Sequence, residues 1–443
     1  MRMRGALGAA LISAAASMCG VSTCPAQELP VSSVRSPTDL EFQGFDGAWP
    51  ARLAVDPAAP LGVVRVLDQP IKRWAGKRRA WNVSPEESDW RDAAAYTSWI
   101  ERTRPGPHEV KFEDSGAFVI DTSPGDGDRP VQPLVRPTEY LQFASAQSRD
   151  GRELRIERTW FAYYDAPAGA SAKGVVVFLP GLLGTPPGTI EQFIRSVNSQ
   201  GWAVLRMLAQ PSRFLERIEF EIDPRQDLGG PGRVIAGVFD HRIGECGFAV
   251  EAAMNHLVGA RPALASLPRV AVGFSGGAIT LPAVVARESS AYAGAAMIAG
   301  GADFFLITVQ SSYTPMLNAV KYRWRDRAPS AAEVAALDRE YLKASKLDPY
   351  NACAVLVGKP LLMIQGGADS AVPAHAGDLL WERLGRPERM VVPLTHELLF
   401  AKLPAEFSRI ERWMSDVADS WRESRAGSSG GPTSSAPLEP DGR

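Results

Sequence analysis

The chain has 443 residues, of which 45% are hydrophobic, 22% charged and 8% aromatic. That composition belongs to soluble globular proteins and excludes collagen-like, coiled-coil and wholly disordered chains; the length admits two or three domains, or one large α/β domain with an extension. Lys and Arg number 48 against 50 Asp and Glu, so no net field favours nucleic acid, and 4 Cys with 5 His leave little material for a metal cluster.

Residues 1–26 read as a secretory signal. They combine a basic start, an apolar run from Gly5 to Met18, and the small residue Ala26 before a cleavage point at Gln27. The run is shorter than the ~20 residues of a spanning helix, so no stable membrane span is expected. The protein is expected to be secreted or periplasmic. Lipid attachment through Cys19 or Cys24 is the lesser alternative, because the residues before each fit a lipobox poorly. Beyond the signal only Cys246 and Cys353 remain, neither in a motif, and two free buried thiols are favoured over a disulfide.

Residues 27–140 form an extension with scattered Pro and Gly and five of the eleven tryptophans. Ser84-Pro85-Glu86-Glu87 is a capping box that predicts a helix to about Thr103. The basic run from Lys72 to Arg79 reads as a solvated loop. The extension is assigned no chemistry, and its tryptophans are expected to pack it onto the domain that follows.

From residue 141 the pattern changes. Two alternating runs flank Asp150-Gly151, a two-residue hairpin signal. Buried strands are then predicted at Gly174–Leu179, Trp202–Met207, Arg269–Gly273, Ala296–Ala299, Pro360–Gln365 and Arg389–Pro393. Helices fall between them, one capped by Thr189 with Gln192 and one opened by Asp240 and running to about Val258. Strands alternating with helices after a hairpin predict an α/β fold, with a mostly parallel central sheet covered on both faces. The last segment, 424–443, is rich in Gly, Ser and Pro and is expected to be a disordered tail.

Gly273-Phe274-Ser275-Gly276-Gly277 matches G-x-S-x-G, and so does Gly427-Ser428-Ser429-Gly430-Gly431 in the tail. Context separates them. Ser275 follows a predicted strand directly and precedes a predicted helix, where a strained turn needs glycines and exposes the serine near the positive end of the helix. Ser275 is the candidate nucleophile.

With that elbow, Leu179-Pro180-Gly181-Leu182-Leu183-Gly184, the run G-G-A-D-S-A-V-P around Asp369 and Thr395-His396-Glu397, residues 141–423 resemble the α/β-hydrolase superfamily. The set is specific for the superfamily and not for any family within it. The resemblance implies an α/β-hydrolase fold and a serine hydrolase. A serine hydroxyl needs an adjacent base. His396, after the last predicted strand, stands where the superfamily places its histidine, with His375 as the rival. Asp369 resembles the acid that orients the imidazole, and Asp303, after an earlier strand, is the alternative acid. Ser275, Asp369 and His396 also occur in the superfamily's chain order. The backbone N–H groups of Leu182 and Gly276 are the expected oxyanion donors. Pro180 stands where many relatives have His, which removes whatever hydrogen bond that histidine makes.

An insertion at 303–359 is expected to cap the site and set substrate choice. Its aromatics (Phe304, Phe305, Tyr313, Tyr322, Trp324) either line the pocket or form the cap's own core. The loop Gln210–Arg233 is a candidate rim. The reading is thus a hydrolase of a small-molecule ester or related acyl compound, with peptidase, amidase and non-catalytic binding protein as alternatives. No cofactor or metal motif is present.

Overall fold

The computed structural model describes residues 30–40, 135–149, 153–167 and 171–428, except 183–184, 209, 212–213, 215–216 and 318, and short strands at 63–67, 80–82, 109–110 and 118–120. The expected signal, the helix from Ser84, the basic run and the tail beyond Ser428 lie outside the described residues.

The upstream strands are β1 (Val63–Leu67), β2 (Ala80–Asn82), β3 (Glu109–Val110) and β4 (Phe118–Ile120). The hairpin follows as β5 (Glu139–Arg149) and β6 (Glu153–Tyr164), whose outermost pair is Arg149 with Glu153. Three residues therefore connect the strands, one more than the Asp-Gly signal predicted. Alternating strands and helices come next: β7 (Val175–Leu179), α1 (Pro187–Ser199), β8 (Ala203–Met207), β9 (Ile218–Ile222), α2 (Gly229–Ala260), β10 (Arg269–Phe274), α3 (Gly276–Arg287) and β11 (Tyr292–Ile298). The cap region holds α4 (Phe304–Gln310), α5 (Thr314–Leu317), β12 (Val320–Trp324), α6 (Ala331–Ala344) and α7 (Pro349–Ala352). The chain closes with β13 (Leu361–Gly366), α8 (Ala374–Arg383), β14 (Glu388–Val392), α9 (His396–Lys402) and α10 (Phe407–Ser428). Among the described residues no helix is long and apolar enough to cross a membrane.

The main sheet has the order β1-β5-β6-β8-β7-β10-β11-β13-β14, with β3 alongside β6. Pairings from β1 to β8 are antiparallel, and those from β8 to β14 are parallel. The central strands β7 and β11 are apolar and buried along their whole length because both faces are covered, whereas the edge strand β14 carries Glu388 and Arg389 and is partly exposed. Val175, Val177 and Leu179 of β7 face the core under α2 and α3, while Val176 and Phe178 face the core under α1 and α10. Phe274 joins the second core, its ring 4.8 Å from Phe178 and 5.4 Å from Phe400. Full burial of such a side chain contributes about 1.5–3 kcal/mol, which anchors the end of β10 from below.

Three boundaries differ from the sequence expectations, each for a packing reason. Helix α1 begins at Pro187, and Thr189 is no cap, since its hydroxyl donates to Phe400 O at 3.2 Å. Helix α2 begins at Gly229, eleven residues before Asp240, so the end of the Gln210–Arg233 loop is helical and its middle is β9. The glycines that read as a loop permit close helix packing: a Cβ on Gly232 would stand 2.8 Å from Glu340 Cβ and 3.0 Å from Tyr341 N, both on α6. Asp240 instead lies buried in mid-helix and accepts from Ser345 Oγ (2.6 Å), Lys346 N and Leu347 N. Helix α10 runs to Ser428, past the expected start of the tail; its apolar face packs on the second core as far as Trp421.

The cap is a composite. Strand β12 of the insertion pairs in parallel with β9, Val320 opposite Ile218. Residues 30–40 brace it from outside: Tyr350 donates to Pro37 O, Gln310 to Val34 O, and Arg339 forks onto Asp39, while Arg383 of α8 donates to Leu40 O.

Candidate active site

Strand β7 is followed in sequence by β8 on one side of it and by β10 on the other, so the order reverses between β7 and β10. Loops leaving the carboxyl ends of strands on either side of such a reversal diverge and leave a crevice. Leu182 follows β7 there and Ser275 follows β10.

Ser275 has φ 50° and ψ −117°, a positive φ in a residue with a Cβ. Such strain persists only where the surroundings enforce it. Here the N–H of Ser275 donates to Ile298 O on β11 at 2.8 Å, and its carbonyl accepts from Ala278 N and Ile279 N. The turn is also tight against β7: a Cβ on Gly277 would stand 2.2 Å from Leu179 O. Only glycine fits at that approach.

Asp369 follows β13, and His396 opens α9 after β14. His396 Nδ1 lies 2.6 Å from Asp369 Oδ2, with side-chain exposures of 1% and 3%. Asp369 Oδ1 accepts from Ala371 N and Val372 N, both at 2.9 Å, which holds the carboxylate still. Ser275, Asp369 and His396 thus follow β10, β13 and β14, three parallel strands of one sheet, in that chain order. The chain has the α/β-hydrolase fold.

His396 Nε2 is buried and has no hydrogen-bond partner, the Ser275 hydroxyl included. A donor at Nδ1 leaves Nε2 with its lone pair, and such catalytic contacts commonly close only when substrate arrives. The two residues share an environment. Phe400, one turn along α9, packs on the imidazole at 5.1 Å and on Phe274 at 5.4 Å. Tyr313 meets the imidazole edge to face at 5.6 Å and lines the cavity that also holds Ser275, Gly276, Leu182, Ala371 and Val372. Leu182 N stands 3.5 Å from where a Gly276 Cβ would be, and Gly276 N–H, in the first turn of α3, has no acceptor within its helix. The two expected oxyanion donors are therefore neighbours at the serine.

The rivals lie elsewhere. His375 is half-buried on α8 beside Arg35 and Asp378, which burial pushes to a lower pKa. His241 and His256 sit within α2, and His108 lies outside the described residues. Asp303 caps α4 with φ 68° and accepts from Leu306 N and Ser36 Oγ, with no contact to His396. Its acid role is thus corrected: it belongs to a buried carboxyl group with Asp338 and Asp348. Asp348 accepts from Asp303 N, Phe304 N, Tyr350 N and the Tyr341 hydroxyl, and burial outweighs these bonds to push its pKa up. Neither Asp338 oxygen has a hydrogen-bond partner, and burial, then the neighbouring Asp303 carboxyl, pushes its pKa well up, so that it is held protonated. Burial, then the Asp348 charge, pushes Asp303 up to about 7.

The folded state thus binds a proton that the unfolded chain releases near the ordinary carboxylate range. Stability falls as pH rises from about 4 to about 7, by up to about 1.4 kcal/mol per pH unit for that proton. Asp338→Asn supplies a neutral donor to Asp303 and should flatten this slope. Melting temperatures across pH 4–8 for both proteins check it, and parallel curves would refute it.

Two residues, named in the sequence only as part of a rim loop and as a cap aromatic, make contacts at the site that the sequence did not show. Gln210 Nε2 donates to Pro180 O at 2.9 Å, and Cys246 Sγ donates to Gln210 Oε1 at 3.1 Å. This pair from α2 and the loop after β8 holds the turn that carries Leu182, where the expected histidine is replaced by Pro180. Gln210→Leu should lower kcat by about 10- to 100-fold with KM little changed, because a donor displaced by about an ångström loses most of its effect. A fall in KM affinity alone, with kcat intact, would contradict that. Tyr313 is the second: its hydroxyl donates to Glu397 Oε1 at 2.6 Å, and burial, reinforced by that carboxylate, pushes its pKa up so that it stays a donor. Ser312 N donates to Ser370 O at 2.9 Å. Consecutive cap residues are thus tied to the loops of both His396 and Asp369.

Of the aromatics in the insertion, Phe304 and Tyr313 line the cavity at Ser275, whereas Phe305, Tyr322 and Trp324 line a neighbouring one. Cys246 and Cys353 are free and buried. Among the described residues no cluster of three His, Cys, Asp or Glu could hold a metal.

No protein-family model and no curated protein matches the chain. Among solved structures the chain is similar to a cold-adapted esterase from an Arctic intertidal metagenomic library, at 14% identity over 64% of this chain and 97% of that one, with a TM-score of 0.37. It is similar to Est1E from Butyrivibrio proteoclasticus at 13% identity, 62% and 98% coverage and a TM-score of 0.37. For the acylaminoacyl peptidase of Pyrococcus horikoshii the values are 13%, 64% and 42%, and 0.40. At these scores the neighbours add nothing to the fold read from the strand order and the elbow.

Proposed function

We propose that the protein is a serine hydrolase that cleaves a carboxylic ester of a small molecule through an acyl-enzyme. One observation carries this reading. An imidazole fixed at Nδ1 by a buried carboxylate keeps an unpartnered, buried Nε2, and Tyr313, which packs on that imidazole, lines the cavity of a strained serine. A buried polar atom without a partner costs about 1–3 kcal/mol, a cost explained where the atom's partner is a reacting group.

In this reading Ser275 Oγ attacks the ester carbonyl carbon and its proton passes to His396 Nε2. The carbonyl oxygen becomes an oxyanion held by the N–H groups of Leu182 and Gly276 at the start of α3. The intermediate collapses, the C–O bond to the alcohol breaks, and Nε2–H protonates the departing oxygen. Water then attacks the acyl carbon, gives its proton to Nε2, and the carboxylic acid leaves as Ser275 is reprotonated. Asp369 stays ionised throughout and stabilises the imidazolium.

Labelling by a fluorophosphonate, together with turnover of a panel of p-nitrophenyl esters and peptide amides, tests the reading. Ester turnover with labelling at Ser275 supports it, amide turnover replaces it with a peptidase or amidase, and an unlabelled, folded protein replaces it with a binding protein. We further read residues 1–26 as an export leader, which places the activity outside the cytoplasm; a mature protein beginning near Met1 would refute that.

A further inference from the structure

The cavity at Ser275 has a volume of about 70 Å³. One water occupies ~10–15 Å³ on that scale, so the cavity has room for on the order of five or six groups of that size. Its walls are mostly apolar, with Leu182, Phe214, Ile279, Phe304, Ile307 and Leu317, and Arg242 is also in the lining. Beside it lies a second cavity of about 640 Å³, under β12 and between α4 and α6, with Phe305, Tyr322 and Trp324 in its lining. Thr308, Thr314 and Val320 belong to the walls of both.

We propose that Thr308, Thr314 and Val320 form a partition that sets acyl-chain length, closing a pocket for about four carbons and shutting it off from the larger cavity. The inference rests on the ester hydrolase reading above. The group that must stay while the alcohol departs is the acyl chain, bonded to Ser275, and the apolar cavity beside that serine suits it. The partition is built rather than incidental. Thr308 Oγ1 donates to Phe305 O at 2.8 Å and meets the Tyr322 hydroxyl at 2.7 Å, and Thr314 Oγ1 donates to Thr308 O at 2.6 Å. Val320 is buried where β12 begins its pairing with Ile218 of β9. A longer chain would have to break these bonds or part the cap strands, so chains beyond the partition are excluded. Truncating Val320 joins the two cavities.

The test compares kcat/KM on p-nitrophenyl acetate, butyrate, octanoate and decanoate for the wild type, Val320→Ala and Thr308→Ala, with alkyl fluorophosphonates of two and ten carbons as a readout independent of ester choice. The wild type should favour butyrate over decanoate by at least 100-fold. Val320→Ala should raise the ratio of decanoate to butyrate kcat/KM at least tenfold, and the long probe should gain in labelling rate over the short one to match. Equal wild-type rates on butyrate and decanoate overturn the partition and leave the hydrolase reading standing. So does the absence of any gain in both folded variants. If Val320→Ala fails to fold, the wild-type profile and Thr308→Ala decide. A protein that neither labels nor turns over any ester loses both readings together.

Discussion

Replacing Ser275 with alanine is expected to lower kcat for ester hydrolysis by about a millionfold while leaving the thermal transition nearly unchanged. The serine supplies the attacking oxygen, and the triad acts as a unit, so its loss removes the covalent route entirely. What remains is catalysis by the oxyanion donors and by substrate binding, roughly 10³–10⁴ over water. The fold should tolerate the change. Alanine keeps the Cβ that Ser275 already carries at φ 50°, and the bonds that enforce the turn are made by backbone atoms. Kinetics on the preferred ester and intact-mass detection of fluorophosphonate adducts check the prediction. A variant that retains a tenth of the wild-type rate, or that still carries the adduct, excludes Ser275 as the nucleophile.

The second large effect concerns the acid. Asp369→Asn should lower kcat by roughly 10⁴, because an amide can present a donor to Nδ1 and favour the tautomer with its proton on Nε2. Deprotonation of Ser275 then has no base. The backbone bonds from Ala371 and Val372 can persist on the amide oxygen, so the loop should keep its shape and the loss should fall on kcat rather than KM. Asp303→Asn is the control. That residue caps α4 and lies in the buried group with Asp338, so its replacement should alter stability and the pH dependence of melting, with kcat within about tenfold of the wild type. Reversal of the two effects would move the acid to Asp303 and void the site as described. The two carboxylates are chemically alike; what separates them is that one has an imidazole 2.6 Å away.

Some of this protein is written in short stretches of its chain. The strands of the parallel sheet stand out because burial on both faces makes them continuous apolar runs a few residues long. The elbow at Ser275 is legible because a strand, a strained residue and a helix must follow one another within five positions, and only glycines fit between them. Asp369 and His396 were legible through the resemblance to the α/β-hydrolase pattern, each a few residues after a predicted strand.

Other features depend on contacts that no local pattern records. Gln210 reaches Pro180 across 30 positions, Tyr313 reaches Glu397 across 84, and Asp240 reaches Ser345 across 105. Each is a polar side chain whose meaning lies in a partner brought near by folding. For Asp240 local reading even misleads, since an aspartate near apolar residues resembles a helix cap. The start of α2 was hidden for a related reason, as glycines that suggest a loop are there to let α6 approach.

The sequence by itself determined that a parallel sheet carries a serine at a strained strand-to-helix turn, because backbone geometry and alternating burial act over a few residues. Which aspartate meets the histidine, what holds the turn after β7 and where the cavity at Ser275 ends were decided only by tertiary structure, because those are distances between segments that only the packed sheet and cap bring together.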